Sequence, residues 1–205
     1  MKLDFDIVLE NDKVRIEPLH WEHFEFLLPI SNSDPDLLKF SPAEFGTEQA
    51  LKKYIDNTLK LRKQHLKCTF AIFDKEQNEF AGSTSFMNIS EVDERLEIGS
   101  TWLGTKYQRS GLNKNCKYLL MQYAFSKAKC KRIEFKTDNR NSQSKKSIEA
   151  IGGKYEGLLR SHTSMLDGFR RDTVCYSILL NEWTEIRKTI FKEIDILQTT
   201  VKDHR

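Results

Sequence analysis

Residues 95–128 read RLEIGSTWLGTKYQRSGLNKNCKYLLMQYAFSKA, and this stretch decides the fold. Arg95–Leu103 has strand character, with Leu96, Ile98 and Trp102 expected on one face and Glu97, Gly99 and Leu103 on the other. Gly104–Gly111 is a turn-rich loop. From Lys114 to Ala128 the residues Cys116, Leu119, Leu120, Tyr123 and Ala124 recur at three- and four-residue steps, the period of an amphipathic helix. Strand, glycine loop, helix is an anion-binding order. A helix start presents amides without intrahelical acceptors and a partial positive charge, and glycine lets a phosphate approach the backbone. Arg109, Lys114 and Lys117 are expected to add formal charge at the same place. The loop lacks the Gly-Lys-Ser/Thr ending of a P-loop, and Gly104 and Gly111 are too far apart for a dinucleotide fingerprint.

Upstream, Val14–Pro18 alternates as a short strand ended by proline, and Trp21–Ile30 has a helical face of Trp21, Phe24, Leu27 and Leu28. Ser31–Phe45, with Asp34-Pro35 and Ser41-Pro42, reads as a loop. Thr47–Gln64 reads as a helix capped by Thr47, its face running through Leu51, Tyr54, Ile55 and Thr58. Cys68–Phe73 and Phe80–Met87 are strands joined by the polar turn Asp74–Glu79, and Asn88–Glu94 is a second turn. Downstream come a strand at Arg132–Thr137 and a helix opened by Asn139–Ser144 and stopped by Gly152-Gly153. Lys154–Met165 and Val174–Leu180 form a hairpin around Asp167-Gly168. Glu182–Lys202 reads as a C-terminal helix whose stripe of Ile186, Ile190, Ile194, Leu197 and Val201 packs on its own domain. The order predicts an α/β sheet that mixes antiparallel and parallel pairs.

At 205 residues the chain is expected to form one domain with a substantial core. Thirty-three basic and 30 acidic residues leave a net charge of +3, too balanced to point to nucleic acid or an anionic membrane as the main partner. Cys68, Cys116, Cys130 and Cys175 are scattered without a CxxC pair, which argues against a disulfide framework or zinc site. The N-terminus carries acids where a signal peptide needs an apolar run, and no run approaches membrane-spanning length, so a cytoplasmic location is expected.

Gln108-Arg109-Ser110-Gly111-Leu112-Asn113 resembles the Q/R-x-x-G-x-G/A pyrophosphate loop of the GNAT acetyltransferases, with Asn113 standing where Gly or Ala is usual. Asparagine tolerates left-handed backbone and caps helices well, so Asn113 is expected to cap the helix ahead of Lys114. The element order resembles the GNAT fold over about Lys13 to Trp183. Val14-Arg15-Ile16-Glu17-Pro18, Glu97-Ile98-Gly99 before Trp102-Leu103, Asn141-x-x-Ser144, Ile151–Gly157 and Arg171-Asp172 resemble the RimJ/RimL branch, the ribosomal-protein N-terminal acetyltransferase type.

The resemblance implies a GNAT fold: a central, mixed, mostly antiparallel sheet with splayed parallel strands, flanked by helices. It implies one domain over 1–205, with its core at about 13–183 and a C-terminal helix at about 182–202. It implies acetyl-CoA as cosubstrate and no metal. The backbone of Leu103, Gly104 and Thr105 would hold pantetheine. The loop Gln108, Arg109, Ser110, Gly111, Leu112 and Asn113, with Lys114, would hold pyrophosphate, and Asn141 and Ser144 would also touch the cofactor. A bulge at Gly99 would splay the strands, Glu97 would be the general base, and Ser144 would assist the leaving thiolate where relatives carry a tyrosine. The acceptor would be a protein or peptide α-amine, possibly of a ribosomal protein, and the protein a monomer or homodimer. An acyl-CoA-binding sensor without turnover and an acetyltransferase of small amines are the alternatives.

Each residue also has a plainer reading. Glu97 could be a solvent-facing strand acid, and Asn141 and Ser144 could be helix-start residues alone. His162 has no visible partner, while Cys116, Cys130, Tyr155 and Trp183 read as packing residues.

Overall fold

The computed structural model describes residues 1–196. Eight strands form one sheet: β1 (Leu9–Glu10), β2 (Val14–Pro18), β3 (Cys68–Asp74), β4 (Glu79–Ser90), β5 (Arg95–Leu103), β6 (Arg132–Asp138), β7 (Lys154–Ser164) and β8 (Arg170–Leu179). Their order is β1-β2-β3-β4-β5-β6-β8-β7, antiparallel throughout except for the parallel β5–β6 pair. Five helices flank it: α1 (Phe24–Ser31), α2 (Glu48–Lys63), α3 (Leu112–Ser126), α4 (Ser142–Glu149) and α5 (Leu180–Thr189). This is the mixed, mostly antiparallel sheet that the resemblance implies, with β1 added at the edge.

Two apolar clusters sandwich the sheet. One gathers Leu96, Ile98 and Leu103 of β5 with residues of α3, α4 and α5. The other gathers Leu27, Leu51, Ile55 and Trp102 under α1 and α2, and takes nothing from β6, β7 or β8. Helix α3 buries Cys116, Leu119, Leu120 and Ala124, as its period requires. Thr47 caps α2 by accepting the Ala50 amide at 3.2 Å. Trp21, expected on the α1 face, lies outside that helix in a 3-10 turn and is exposed.

One residue of irregularity resets the central strand. Ser83 pairs with Trp102 and Ser85 with Gly99, so Ser100 and Thr101 oppose Thr84 alone. Ser100 takes φ 48°, a left-handed conformation. The extra residue shifts the period-two alternation by one. Trp102 therefore joins the cluster under α1 and α2, and Leu103 joins Leu96 and Ile98, opposite to the faces expected from the sequence. Beyond the bulge β5 leaves its parallel neighbour: β5 and β6 pair over Arg95–Glu97 against Arg132–Glu134, and then separate.

The C-terminal segment also departs from expectation. Helix α5 starts at Leu180, turns at 190–191 and is helical again over 192–196. The break lets Phe191, fully buried, insert against Tyr118 and Trp183, with ring centroids 5.5 and 5.8 Å away. Ile186, Ile190 and Ile194 pack on the larger cluster, while the expected Leu197, Val201 and helix end at Lys202 lie outside the described residues. Tyr155, read as a packing residue, is exposed on the edge strand β7, whereas Trp183 is buried.

Candidate functional site

The gap between β5 and β6 opens next to Glu97. This carboxylate is 5% exposed and accepts from Asn88 Nδ2 at 2.8 Å and from Lys136 Nζ at 2.9 Å, both on Oε2. Burial opposes the charge on Lys136, but the hydrogen bonds and charges of Glu97 and Glu134 outweigh it and hold the ammonium above the ordinary lysine range. Gly99, next along the same face, is spaced to suit. A Cβ there would stand 3.0 Å from Glu97 Oε1 and 3.0 Å from Met87 Sδ, so the glycine keeps room beside Oε1. Leu103, expected to share this face, does not, because the bulge lies between them.

Across the sheet, the bulge exposes Thr101 to α3. Lys117 projects from that helix, 6% exposed, and donates to Thr101 Oγ1 at 2.7 Å and Thr84 Oγ1 at 3.5 Å. Burial pushes its ammonium down to about 8, and among the described residues it makes no ion pair. Lys117 is thus a core residue under the strands and not a charge at the loop. Lys114 also turns away, its ammonium 5.7 Å from the Phe191 ring centroid. Of the three cations expected at the loop, Arg109 stays there, exposed, with φ 61°.

The cap of α3 is Gly111, not Asn113. Gly111 adopts φ 85°, the helix starts at Leu112, and Ser110 Oγ accepts the Leu112 amide at 3.3 Å. Asn113 sits in the first turn and donates from Nδ2 to Ser147 Oγ at 3.1 Å. The amides of Asn113 and Lys114 lie in the first turn, before the helix supplies acceptors. A Cβ on Gly111 would meet nothing within 4 Å, so there is open space at the helix cap. Left-handed backbone at Arg109 and Gly111, two first-turn amides, the Arg109 guanidinium and that open space can hold a diphosphate.

Gln108 braces the loop. It donates to the Leu103 carbonyl at 3.1 Å and accepts from Gln143 Nε2 at 3.1 Å. Through Gln143 and Ser147 the start of α4 is drawn against the start of α3. Asn141 caps α4 by accepting the Ser144 amide at 2.9 Å, and the same helix start reaches the loop through Gln143 and Ser147. The Leu103–Thr105 backbone is partly engaged: Gly104 donates its amide to the Ala81 carbonyl at 2.9 Å, and Leu103's carbonyl serves Gln108. The Thr105 hydroxyl donates to Asp34 at 3.0 Å. Asp34 helps line a cavity of about 480 Å³ between the 31–47 segment and Leu166, beside the end of β5.

His162 has partners after all, Thr173 Oγ1 at 3.1 Å and Thr163 Oγ1 at 3.0 Å. Burial pushes the Cys116 thiol up to about 12, which keeps it protonated and unreactive. Lys136 and Asn88, the two partners of Glu97, were not among the site residues expected from the sequence. Alternation alone could have placed Lys136 on the face of Glu134, but its pairing with Glu97 requires the β5–β6 neighbourhood. Among the described residues no cluster of His, Cys, Asp and Glu could hold a metal, and no helix is long and apolar enough to cross a membrane.

Comparisons with known proteins show the family and the fold. The family profile described as "Acetyltransferase (GNAT) domain" matches residues 13–154. A Bacillus licheniformis protein, "Uncharacterized N-acetyltransferase p20", is 29% identical over 154 residues, 74% of this chain and 84% of that one. The crystal structure of a GCN5-related N-acetyltransferase from Brucella melitensis superposes with a TM-score of 0.83 at 27% identity, covering 91% of this chain and 85% of that one. The fold alone is shared with a ribosomal-protein-S5-alanine acetyltransferase from Vibrio fischeri, at a TM-score of 0.71 and 20% identity, covering 87% and 99% of the two chains.

Proposed function

Because this chain belongs to the GNAT acetyltransferase family, we propose that it moves an acetyl group from acetyl-CoA to the α-amine of a peptide or protein N-terminus. The observation that carries the reading is the three-residue β5–β6 pair that opens beside a buried carboxylate and a glycine-capped helix start. The family uses acetyl-CoA, which supplies the acetyl thioester. Gln108, Arg109, Ser110, Gly111, Leu112, Asn113 and Lys114 form the pyrophosphate loop, with Arg109 and the first-turn amides as its donors. Leu103, Gly104 and Thr105 flank the pantetheine arm along the open edge of β5, and Asn141 and Ser144 close the site from α4. We read the whole chain as one domain.

Glu97 is the base in this reading. Its hydrogen bonds fall on Oε2, leaving Oε1 beside Gly99 to take the proton of the incoming ammonium, directly or through one water. The freed amine forms the C–N bond as the C–S bond breaks, the second proton leaves the nitrogen for the departing thiolate to give the free thiol, and Ser144 donates a hydrogen bond toward that sulfur. An α-amine, with a pKa of about 7.7–8.0, is already partly neutral near pH 7, whereas a lysine at about 10.4 is not, so a carboxylate base suits the former. The RimJ/RimL-like motifs of the sequence support a protein N-terminus as acceptor. The test follows thiol release from acetyl-CoA with peptides that carry both an α-amine and a lysine, and locates the acetyl group by mass spectrometry. Acetyl on the α-amine is expected; acetyl confined to lysine removes the reading. Binding of acetyl-CoA without thiol release from any amine would favour a sensor.

A further inference from the structure

The segment between α1 and α2 is tied to both sides of the β5–β6 gap. Its near end rests on the end of β5. The Thr105 hydroxyl donates to Asp34 Oδ2 at 3.0 Å. A Cβ on Gly104 would come within 2.6 Å of Ile30 Cγ2, so the glycine lets the last turn of α1 settle there. Its far end rests on β6 and β8. Arg171 of β8 donates from Nη1 to the Phe40 carbonyl at 3.4 Å and from Nε to Thr173 Oγ1 at 3.1 Å. The Arg140 guanidinium, just past β6, lies 5.7 Å from the centroid of the Phe40 ring and 3.9 Å from that of Phe169, on the turn between β7 and β8. Residues 34–40 therefore run from the end of β5 to the ends of β6 and β8, across the open end of the gap. They do so on the side of α1 and α2, whereas α3 packs on the other.

The far anchor is itself held. Asp138, 1% exposed, accepts from Arg140 Nε at 3.0 Å, from its Nη2 at 2.7 Å and from its backbone amide at 2.8 Å. Both carboxylate oxygens thus aim one guanidinium, which leaves its faces to the two rings. The segment is also a unit in itself: Leu37 donates its amide to the Asp34 carbonyl at 3.1 Å, and Lys39 donates to that of Asp36 at 3.1 Å. Exposed contacts between a cation and a ring are individually weak, so a strap built this way keeps its place yet releases at its far end without disturbing the sheet. Between the strap and the hairpin turn lies the cavity of about 480 Å³, with Asp34 and Leu38 on one wall and Leu166 on the other.

We propose that residues 34–40 are a strap that closes the acceptor side of the gap, and that Arg140 and Arg171 are the positioning residues that hold its far end. This inference rests on the acetyl-transfer reading above. In that reading the thioester reaches the gap from the side of α3, and the acceptor reaches it from the side of the strap, through the cavity. With the strap down, the acceptor has a fixed wall and bulk water is kept from the thioester. With the strap released, water competes. It adds to the thioester carbonyl, the C–O bond forms as the C–S bond breaks, and acetate, a proton and the free thiol leave. Arg140 also links the two halves of the site, because the next residue, Asn141, caps α4.

Thiol release from acetyl-CoA without any amine reads the strap directly, with rates expressed per acetyl-CoA site counted by calorimetry. Phe40→Ala, which leaves the pair of Arg140 and Asp138 intact, and Arg140→Ala should each raise this hydrolysis about tenfold, with acetyl-CoA affinity unchanged. Arg171→Met, which frees the Phe40 carbonyl, should do so to a smaller degree, and Arg140→Lys should keep part of the closure. The double variant of Phe40 and Arg140 should leak no more than the worse single one, since both remove the same anchor. With a C-terminally amidated peptide carrying a free α-amine, the same variants should raise the acceptor KM about tenfold and leave kcat nearly as it was. A merely structural role would lower the number of sites and leave the rate per site and the KM alone. Unchanged hydrolysis per site in Phe40→Ala and Arg140→Ala overturns the strap and leaves the acetyl-transfer reading standing. Faster hydrolysis with no peptide turnover supports the strap and removes the peptide acceptor. A parent protein that binds no acetyl-CoA overturns both.

Discussion

The two ends of the β5–β6 pair use the same two strands for opposite purposes. At the paired end, Arg95–Glu97 and Arg132–Glu134 lie in register, and surplus charge is discharged at once. Arg132 donates to Glu134 at 3.0 Å and to Glu156 through both terminal nitrogens, Nη1 at 2.7 Å. Toward the open end, a bulge at Ser100 turns β5 away, and the charges there are held differently: Glu97 is buried with Asn88 and Lys136 both on Oε2 on one face, and Lys117 lies without a carboxylate on the other. A protein that sought stability alone would neutralise both ends as it does the first. Groups left short of partners beside a gap suit chemistry there rather than stability.

The comparison breaks most visibly at Glu97. Glu97→Gln should lower kcat by roughly 10²–10⁴, the usual worth of a positioned base, with acetyl-CoA affinity little changed. Single-turnover rates at saturating acetyl-CoA give the number, and full activity across the pH range would move the base elsewhere. Lys117 comes next. Its folded ammonium titrates near 8 against an ordinary value of 10.5. The unfolded chain therefore holds the extra proton between those values, and stability should rise with pH from about 8 to about 10.5, by an upper bound on the order of 3 kcal/mol. Lys117→Met should flatten that rise and stabilise the protein at pH 7, since Thr84 and Thr101 still bond each other at 2.8 Å. Urea unfolding from pH 7 to 10.5 would show it, and an unchanged slope would mean that the lysine is not the group responsible.

Gly111→Asp should weaken acetyl-CoA binding at least tenfold, about 1.4 kcal/mol by calorimetry, because it puts negative charge into the open space at the helix cap. Intact circular dichroism with unchanged affinity would remove the pyrophosphate loop from this position. At the paired end the effect is smaller. Arg132, by its hydrogen bonds, holds Glu156 down to about 2, so this contribution is present above the ordinary carboxylate pKa of 4.5 and is lost as pH falls from there toward 2. Glu156 is over a third exposed, so solvent screening reduces it to about 1 kcal/mol. Arg132→Met should shallow the acid limb of the unfolding curve by that amount without changing kcat. Ser144→Ala should cost about one hydrogen bond, tenfold in kcat or less.

Much of the site could be read from local signals. The β5–loop–α3 order, the Thr47 and Asn141 caps and the Asp167-Gly168 hairpin turn each depend on neighbours within a few positions, and each is found in the structure. So is the sheet architecture that the element order and the motif resemblance imply. The misplaced details share one cause. Asn113 looked like a cap because its chemistry allows it, but the left-handed turn closed at Gly111, which fits that backbone without strain. Trp102 and Leu103 exchanged faces because an extra residue in β5 is defined only by its register against β4.

The sequence by itself determined the elements, their order and the family, because periodicity, capping and turn chemistry are encoded over one or two turns of chain. Tertiary structure decided which charges meet. Asn88, Glu97 and Lys136 come from three different strands, and only the sheet order brings them together. Whether a lysine such as Lys117 ends in solvent or under two threonines likewise depends on what packs over it. Burial and register are properties of distant segments acting together, and no local pattern carries them.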